Sequence, residues 1–231
     1  MLAPMVRAVR RLAGLAAAGV LAGALAGCGG IGQPAPYDST GINGLVIPTP
    51  SPDPGDFVAG VDNPWLPLEP QAAWRYDVTE AGRNVGTIEA EVAAGTTEVA
   101  GLRATALQVT TTIDGETEEE TRLYAQDEDG NVWLVGVDPG TGPSWRAGEG
   151  GAEAGLAMPA RPRLGDGWLT YAVPALPQAS TTVEDQSREM VQMRSQEEGE
   201  ADTATRTVHE KGVGLVSIED LDAGWLAQRV D

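Results

Sequence analysis

The chain has 231 residues, with 34 acidic against 15 basic side chains, one histidine and one cysteine. A formal charge of −19 sets it against nucleic acid and anionic lipid head groups, which basic proteins seek. A single cysteine excludes an internal disulfide, and one cysteine with one histidine leaves too few nitrogen and sulfur ligands for a zinc site.

The first element is a leader. Arg7, Arg10 and Arg11 precede an apolar run of fifteen residues, Leu12 to Ala26. A membrane-spanning helix needs roughly 20 residues, so this run fits the apolar region of a secretory signal at residues 1–27. Leu25, Ala26 and Gly27 stand before Cys28 and resemble the lipobox of bacterial lipoproteins. That resemblance implies cleavage between Gly27 and Cys28 and a diacylglyceryl group on the Cys28 sulfur. The implied address is extracytoplasmic, on the outer face of the cell membrane. Two or more acyl chains give stable anchoring where one is marginal. Nothing after Cys28 is apolar enough to span a bilayer. Losing the three leader arginines leaves twelve basic residues against 34 acidic, a charge of −22. Such a surface serves ordinarily as a solvated coat; the alternative is recruitment of cations or a basic partner.

Residues 28–56 read as a flexible tether, rich in glycine and proline and including Pro48, Pro50, Pro52 and Pro54. Proline lacks a backbone donor and restricts its neighbour, so neither ladder nor helix is expected. Residues 57–231 suffice for one domain with its own core. Apolar positions there recur mostly at every second residue. Trp74, Tyr76 and Val78 alternate with Arg75 and Asp77, and Ile88, Ala90 and Val92 with Glu89 and Glu91. Half-buried strands follow, with hairpin turns at "AGRN", "IDGE" and "DEDGNV". Val132 to Val135 are apolar on both faces, as in a central strand. "TRTVHEKG" and "GVGLVSIED" read as further strands, and residues 183–194 as strand. Residues 137–167 show little periodicity and read as long surface loops.

Four stretches occur in order: "NPWLPLEPQAAWRYD", "YAQDEDGNVWLVG", "SWRAGEGGAEAGLAMPARPRLGD" and "KGVGLV". Together they resemble an uncharacterised family of secreted proteins and lipoproteins from high-GC Gram-positive bacteria. The resemblance covers most of Asn63 to Val216. Gln71-Ala72 stands where Gly-Thr is usual, and Lys211 where proline is common. The stretch Trp168 to Ser180 lacks the family's acidic and aromatic pattern. The resemblance implies fold and address, and no activity.

The residues that could carry chemistry are few. Asp127, Asp129 and Asn131 space oxygens like the opening of a calcium loop, but glycine comes fourth, Asp138 stands at position twelve and no helices flank it. Asp129-Gly130 reads better as a hairpin turn with positive φ at both positions. His209 would have to serve any triad, with Ser144 or Ser217, yet no Gly-x-Ser-x-Gly elbow is present. Carboxylates cluster at Glu116, Glu118, Glu119 and Glu120 and again at Glu197, Glu198, Glu200 and Asp202, and nothing in the sequence singles out an acid/base pair among them. Trp74 and Trp133 lie on strands. Trp65 and Trp145 lie in loop-like segments, where they either cover a sheet end or face a ligand. Trp65, Trp74 and Trp145 are the candidate ligand-facing residues.

The expected fold is mainly β, an antiparallel curved sheet or partly open β-barrel. The expected role is a non-enzymatic envelope lipoprotein that needs no cofactor or metal. It either binds or carries an apolar ligand, by fold-level analogy with lipid-carrying half-barrel lipoproteins, or is a structural protein with a solid core. Apart from the membrane anchor, the sequence names no protein partner and fixes no oligomeric state.

Overall fold

A computed structural model of the protein describes residues 53–174, 176–197 and 203–230. The leader, Gly27, Cys28 and most of the tether lie outside the described residues. Pro54–Asp56 form one 3-10 turn, capped by the Asp53 carboxylate on Gly55 N. It is joined to the domain where Glu128 N donates to Asp56 O.

Fourteen strands follow: β1 (Phe57–Val58), β2 (Ala73–Glu80), β3 (Arg83–Val99), β4 (Leu102–Ile113), β5 (Glu116–Asp127), β6 (Val132–Pro139) and β7 (Trp145–Arg146). The second half comprises β8 (Gly155–Met158), β9 (Gly167–Tyr171), β10 (Ala179–Gln186), β11 (Met190–Glu197), β12 (Thr203–Glu210), β13 (Gly214–Asp220) and β14 (Trp225–Val230). All belong to one antiparallel sheet that is not closed into a barrel. Its order is β7-β6-β5-β4-β3-β2-β14-β13-β12-β11-β10-β9, with β8 on β6 and β1 on β5.

Glycine-containing tight turns set the registers of three hairpins. Ala81-Gly82, Ala100-Gly101 and Asp114-Gly115 all have positive φ and each links a directly paired couple of residues. This is the two-residue turn whose twist matches the strands. The Asp127–Asn131 turn differs from its sequence reading. Gly130 alone has positive φ, at 88°. Gly130 N bonds Asp127 O, and Asp127 N bonds Asn131 O, so the loop has three residues and ends in a left-handed glycine.

The alternation read from β2 holds. Tyr76 and Val78 are buried, whereas Arg75 and Asp77 face water and pair with each other at 2.7 Å. Trp74 lies on the same face as Tyr76 but is only half-buried. Register carries that inner face across the sheet: Trp74 opposes Ala90, Ala90 opposes Val109 and Val92 opposes Leu107. Directly opposed residues project to one side.

Two further sequence readings need correction. Residues 137–167 are not mainly surface loops, because β7 and β8 lie there and Trp145, Ala147, Ala152, Leu156 and Met158 are buried. Two- and four-residue strands are too short to show a period, and their burial comes from β6 and β9. Residues 183–194 are not one strand but parts of β10 and β11 across a turn at Ser187–Glu189.

The segment between β1 and β2 packs into the core on the inner face of the sheet. It contains no strand of its own, yet Val61, Trp65 and Leu68 are buried. Its polar groups are satisfied at a distance, as buried backbone requires. Gln71 N bonds Val92 O on β3, and Gly212 N bonds Pro64 O. Asp62 N and Asn63 N both donate to Gln126 Oε1 on β5, and Trp65 O accepts from His209 on β12. These anchors lie on β3, β5 and β12 and in the turn after β12, so the segment bridges strands far apart in the sheet order. Around it Val92, Val183, Val191 and Met158 are nearly inaccessible. Further along the inner face the packing thins: Val109, Thr111, Ile113, Thr207 and Ile218 keep partial exposure.

Candidate functional site

The edges of the open sheet approach each other along a seam between β9 and the short strands on β6. Beside β8 the seam is backbone to backbone, with Glu153 and Ala172 exchanging bonds of 2.7 and 3.3 Å. The Trp168 indole donates to Leu156 O at 2.6 Å. Beside β7 it is made by side chains: the Trp145 and Tyr171 rings stand 5.8 Å apart, tilted by 49°.

Behind that aromatic pair the inner face turns polar. Trp145 opposes Val137, which opposes Arg122 on β5. Glu120 lies two residues away on the same face and pairs closely with Arg122. From β9, the Tyr171 hydroxyl donates to Glu197 on β11 at 2.7 Å. The Arg122 and Glu120 side chains stay 47% and 32% accessible to water. Desolvation disfavours the Arg122 charge, and Glu120 with Tyr124 more than offsets it, so the guanidinium holds its proton more firmly than usual. Tyr171 is pushed well above the ordinary phenol range, first by burial and then by Glu197. The cluster therefore places a guanidinium and a neutral phenol beside carboxylates, and it can donate and accept hydrogen bonds.

The three candidate tryptophans fall in three settings. Trp65 is buried in the segment between β1 and β2, its backbone N–H donating to Asn63 Oδ1. Trp145 is buried at the seam. Trp74 lies on the inner face, under the Arg229 guanidinium at 5.1 Å, with its indole N–H on Tyr76 Oη at 2.7 Å. It also borders an open groove of about 690 Å³ whose walls include Arg75, Glu89, Glu91 and Arg229.

Asp127 is committed to structure. Its carboxylate accepts from Asn131 N at 2.8 Å, Asn131 Nδ2 at 2.9 Å and Trp133 Nε1 at 2.8 Å. His209 is buried, and its Nδ1 lies 2.9 Å from Trp65 O, to which it donates. Burial pushes its pKa down to about 4, with the Trp65 bond opposing. Ser217 opposes Val208, a neighbour whose side chain points away from that of His209. Ser144 lies against Asp138. The structure brings neither serine to the imidazole. Among the described residues, no three of His, Cys, Asp and Glu are grouped to hold a metal ion, and no helix is long and apolar enough to cross a membrane.

Arg122, Tyr171 and the pairings of Glu120 with Arg122 and of Glu197 with Tyr171 were missed by sequence reasoning. The carboxylate runs were visible, but strand parity within β5 decides that Glu120, and not Glu119, joins Arg122 on the inner face. Tyr171 and Glu197 join only through the order of the sheet. No protein-family model, curated protein or solved structure matches this chain.

Proposed function

We propose that this chain is a cell-envelope lipoprotein, anchored through Cys28, whose curved sheet binds or carries a ligand with an apolar part, without catalysing a reaction. The observation that carries the reading is the gradient of packing along the inner face. One end is closed around Leu68, Val92 and Val191, while Val109, Thr111 and Arg122 further along keep access to water. Concave, mainly apolar hollows with a few convergent polar groups are where small ligands bind. The leader and the lipobox-like residues before Cys28 support the membrane address, as does the resemblance to secreted proteins and lipoproteins. Inside the hollow the polar groups are held by one another and no nucleophile is paired with a base, which favours binding over turnover.

The test is native mass spectrometry of the protein taken from its own membrane. A co-purifying lipid-sized mass is expected, released on unfolding. A bare polypeptide mass beyond the N-terminal acyl groups would favour the second reading, a structural lipoprotein. The apolar cluster of Tyr76, Val78, Ile88 and Ala227 favours that reading, because Trp225, Ile113 and Ile218 pack over it and fill part of the hollow.

A further inference from the structure

An antiparallel sheet gathers its connections at two ends. The β3–β4, β5–β6, β10–β11 and β12–β13 turns and the β8–β9 loop lie at one end. The chain enters the described domain there: Asp56 O accepts from Glu128 N in the β5–β6 turn, and Cys28 lies 25 residues before Asp53. The β8–β9 loop starts beside this entry, with Pro159 held by Asn63 and Ala160 by Asn131.

Two kinds of side chain are confined to that end. Among the described residues the exposed large apolar ones are Val58, Leu164, Val213 and Val230, with Leu164 reaching 67%. Val58 pairs with Gln126 near the close of β5, and Val230 with Arg75 near the start of β2. Leu164 is in the β8–β9 loop and Val213 in the β12–β13 turn. Arginines on the strands are paired, as Arg206 is with Glu184 and Glu219. Arg103, Arg161, Arg163, Arg188 and Lys211 are exposed and form no ion pair among the described residues. Arg103 is near the start of β4, and the other four are in the turns and loop of this same end. One exposed valine or leucine is ordinary. Segregation of all four, together with the unpaired cations, at the entry point of the chain is not.

Charge differs between the ends. The turns and loop of the entry end balance those four cations with Glu128, Asp129, Asp166 and Glu189, and the entering segment adds Asp53, Asp56, Asp62 and Glu69. The connections at the opposite end include Asp114, Asp222 and the acidic stretch between β11 and β12, with no basic residue. Net charge therefore supplies no attraction to lipid at the entry end. Apolar tips flanked by guanidinium and ammonium groups suit a head-group layer, where the tips insert and the cations stay on phosphate. The opposite end is repelled by an anionic surface. Resting on the Cys28 anchor proposed above, we infer that the entry end of the sheet rests on the phospholipid surface that holds the anchor. Leu164 and Val213 insert among the head groups, and Arg161, Arg163 and Lys211 meet lipid phosphates. The loosely packed part of the inner face, at Thr111 and Ile113, then lies away from the membrane.

The test uses the full acylated chain in vesicles of phosphatidylethanolamine and phosphatidylglycerol. Cys28 is the only cysteine, and acylation blocks its sulfur, so one introduced cysteine takes a thiol-reactive, environment-sensitive dye. The dye is placed on Leu164→Cys, on Val213→Cys and, at the opposite end, on the exposed Thr141→Cys. Melting curves confirm that the variants fold. Emission from positions 164 and 213 shifts to the blue and is quenched by spin-labelled lipid, whereas emission from position 141 does neither. Equal quenching at both ends, or none at 164 and 213, overturns the inference. So does a blue shift that grows with protein density without lipid quenching, which marks a second copy on this surface. Dye uptake by the wild type reveals a free Cys28 thiol and sinks the anchor reading, with this inference falling too. A wild type that refuses dye, with positions 164 and 213 unquenched, sinks this inference alone.

Discussion

The side-chain amide of Asn63 donates to the Gly130 carbonyl at 2.8 Å, tying the segment between β1 and β2 to the β5–β6 hairpin 67 residues further along the chain. The same amide reaches Pro159 O at 3.3 Å, and Asn63 Oδ1 takes the Trp65 N–H. On the hairpin side, Asn131 Oδ1 accepts from Ala160 N. Asn63 to Trp65 and Asp127 to Trp133 are thus two halves of one buried polar network.

Asp127 is the centre of that network, and removing its carboxylate strands the donors of Asn131 and Trp133. Each buried donor left unpaired costs about 1–3 kcal/mol. Asp127→Ala is expected to lose roughly 3 kcal/mol or more in urea unfolding. Both carboxylate oxygens already accept from protein donors, so millimolar calcium should leave the melting temperature of the wild type unchanged. A calcium-dependent rise in melting temperature that disappears in Asp127→Asn would show that the carboxylate serves as a metal ligand.

Gln71 adopts φ 65°, the left-handed region that side chains with a Cβ resist. Gln71→Gly should therefore stabilise by about 1 kcal/mol, as should Ala100→Gly at φ 50°. Ala73→Gly, at an ordinary strand position of β2, should do the opposite. Thermal melts of the three variants decide it. A loss of stability in Gln71→Gly would mean that its side-chain contacts outweigh the backbone strain.

The strand–turn–strand sections were legible because their signals are local. Alternation marks β2 and β3, and glycine at the second turn position marks their connections. The segment from Val61 to Leu68 was not legible as core. It buries three apolar residues without a period of two, and its hydrogen-bond partners include Gln126 on β5, His209 on β12 and the backbone of Gly130 and Pro159. The polar cluster escaped for a related reason: Arg122, Tyr171 and Glu197 come together only when the ends of a fourteen-stranded sheet approach each other. No window of sequence contains that information.

Membrane attachment is expected to depend on one atom, the Cys28 sulfur. A thioether cannot form on serine, and no later stretch of the sequence is apolar enough to replace the anchor. Cys28→Ser should move the protein from the membrane to the soluble fraction and abolish palmitate labelling. Persistence of the variant in washed membranes would contradict the lipoprotein assignment.

Trp74 and Asp77 sit three residues apart on β2 and differ in what they touch. Trp74 packs against both apolar clusters and stacks under Arg229, whereas the Asp77 side chain is 39% accessible and paired with Arg75. Burial of a whole tryptophan makes truncation cost roughly 3–5 kcal/mol. Because Trp74 is half-buried, Trp74→Ala should cost about 2 kcal/mol. Asp77→Asn should stay within about 0.5 kcal/mol, as exposed pairs do. Equal effects of the two substitutions would contradict the assignment of faces.

His209 gives the fold a dependence on acidity whose sign can be worked out. The neutral imidazole is buried against Trp65 O, and its pKa falls from 6.5 to about 4 on folding. Between those values the unfolded chain binds a proton that the folded chain refuses, so stability falls as the medium is acidified. The contribution is fully present above pH 6.5. It is lost progressively down to about pH 4 and changes no further below that. At 1.36 kcal/mol per pH unit, the interval corresponds to about 3 kcal/mol. His209→Gln keeps an N–H donor for Trp65 O and does not titrate. Its unfolding free energy should therefore be flatter than that of the wild type between pH 7 and pH 4, with parallel curves below. The carboxylates titrate equally in both proteins and cancel in the difference. A difference that stays constant across this range would mean that His209 is solvated in the folded protein, and that the segment between β1 and β2 does not seal it from water.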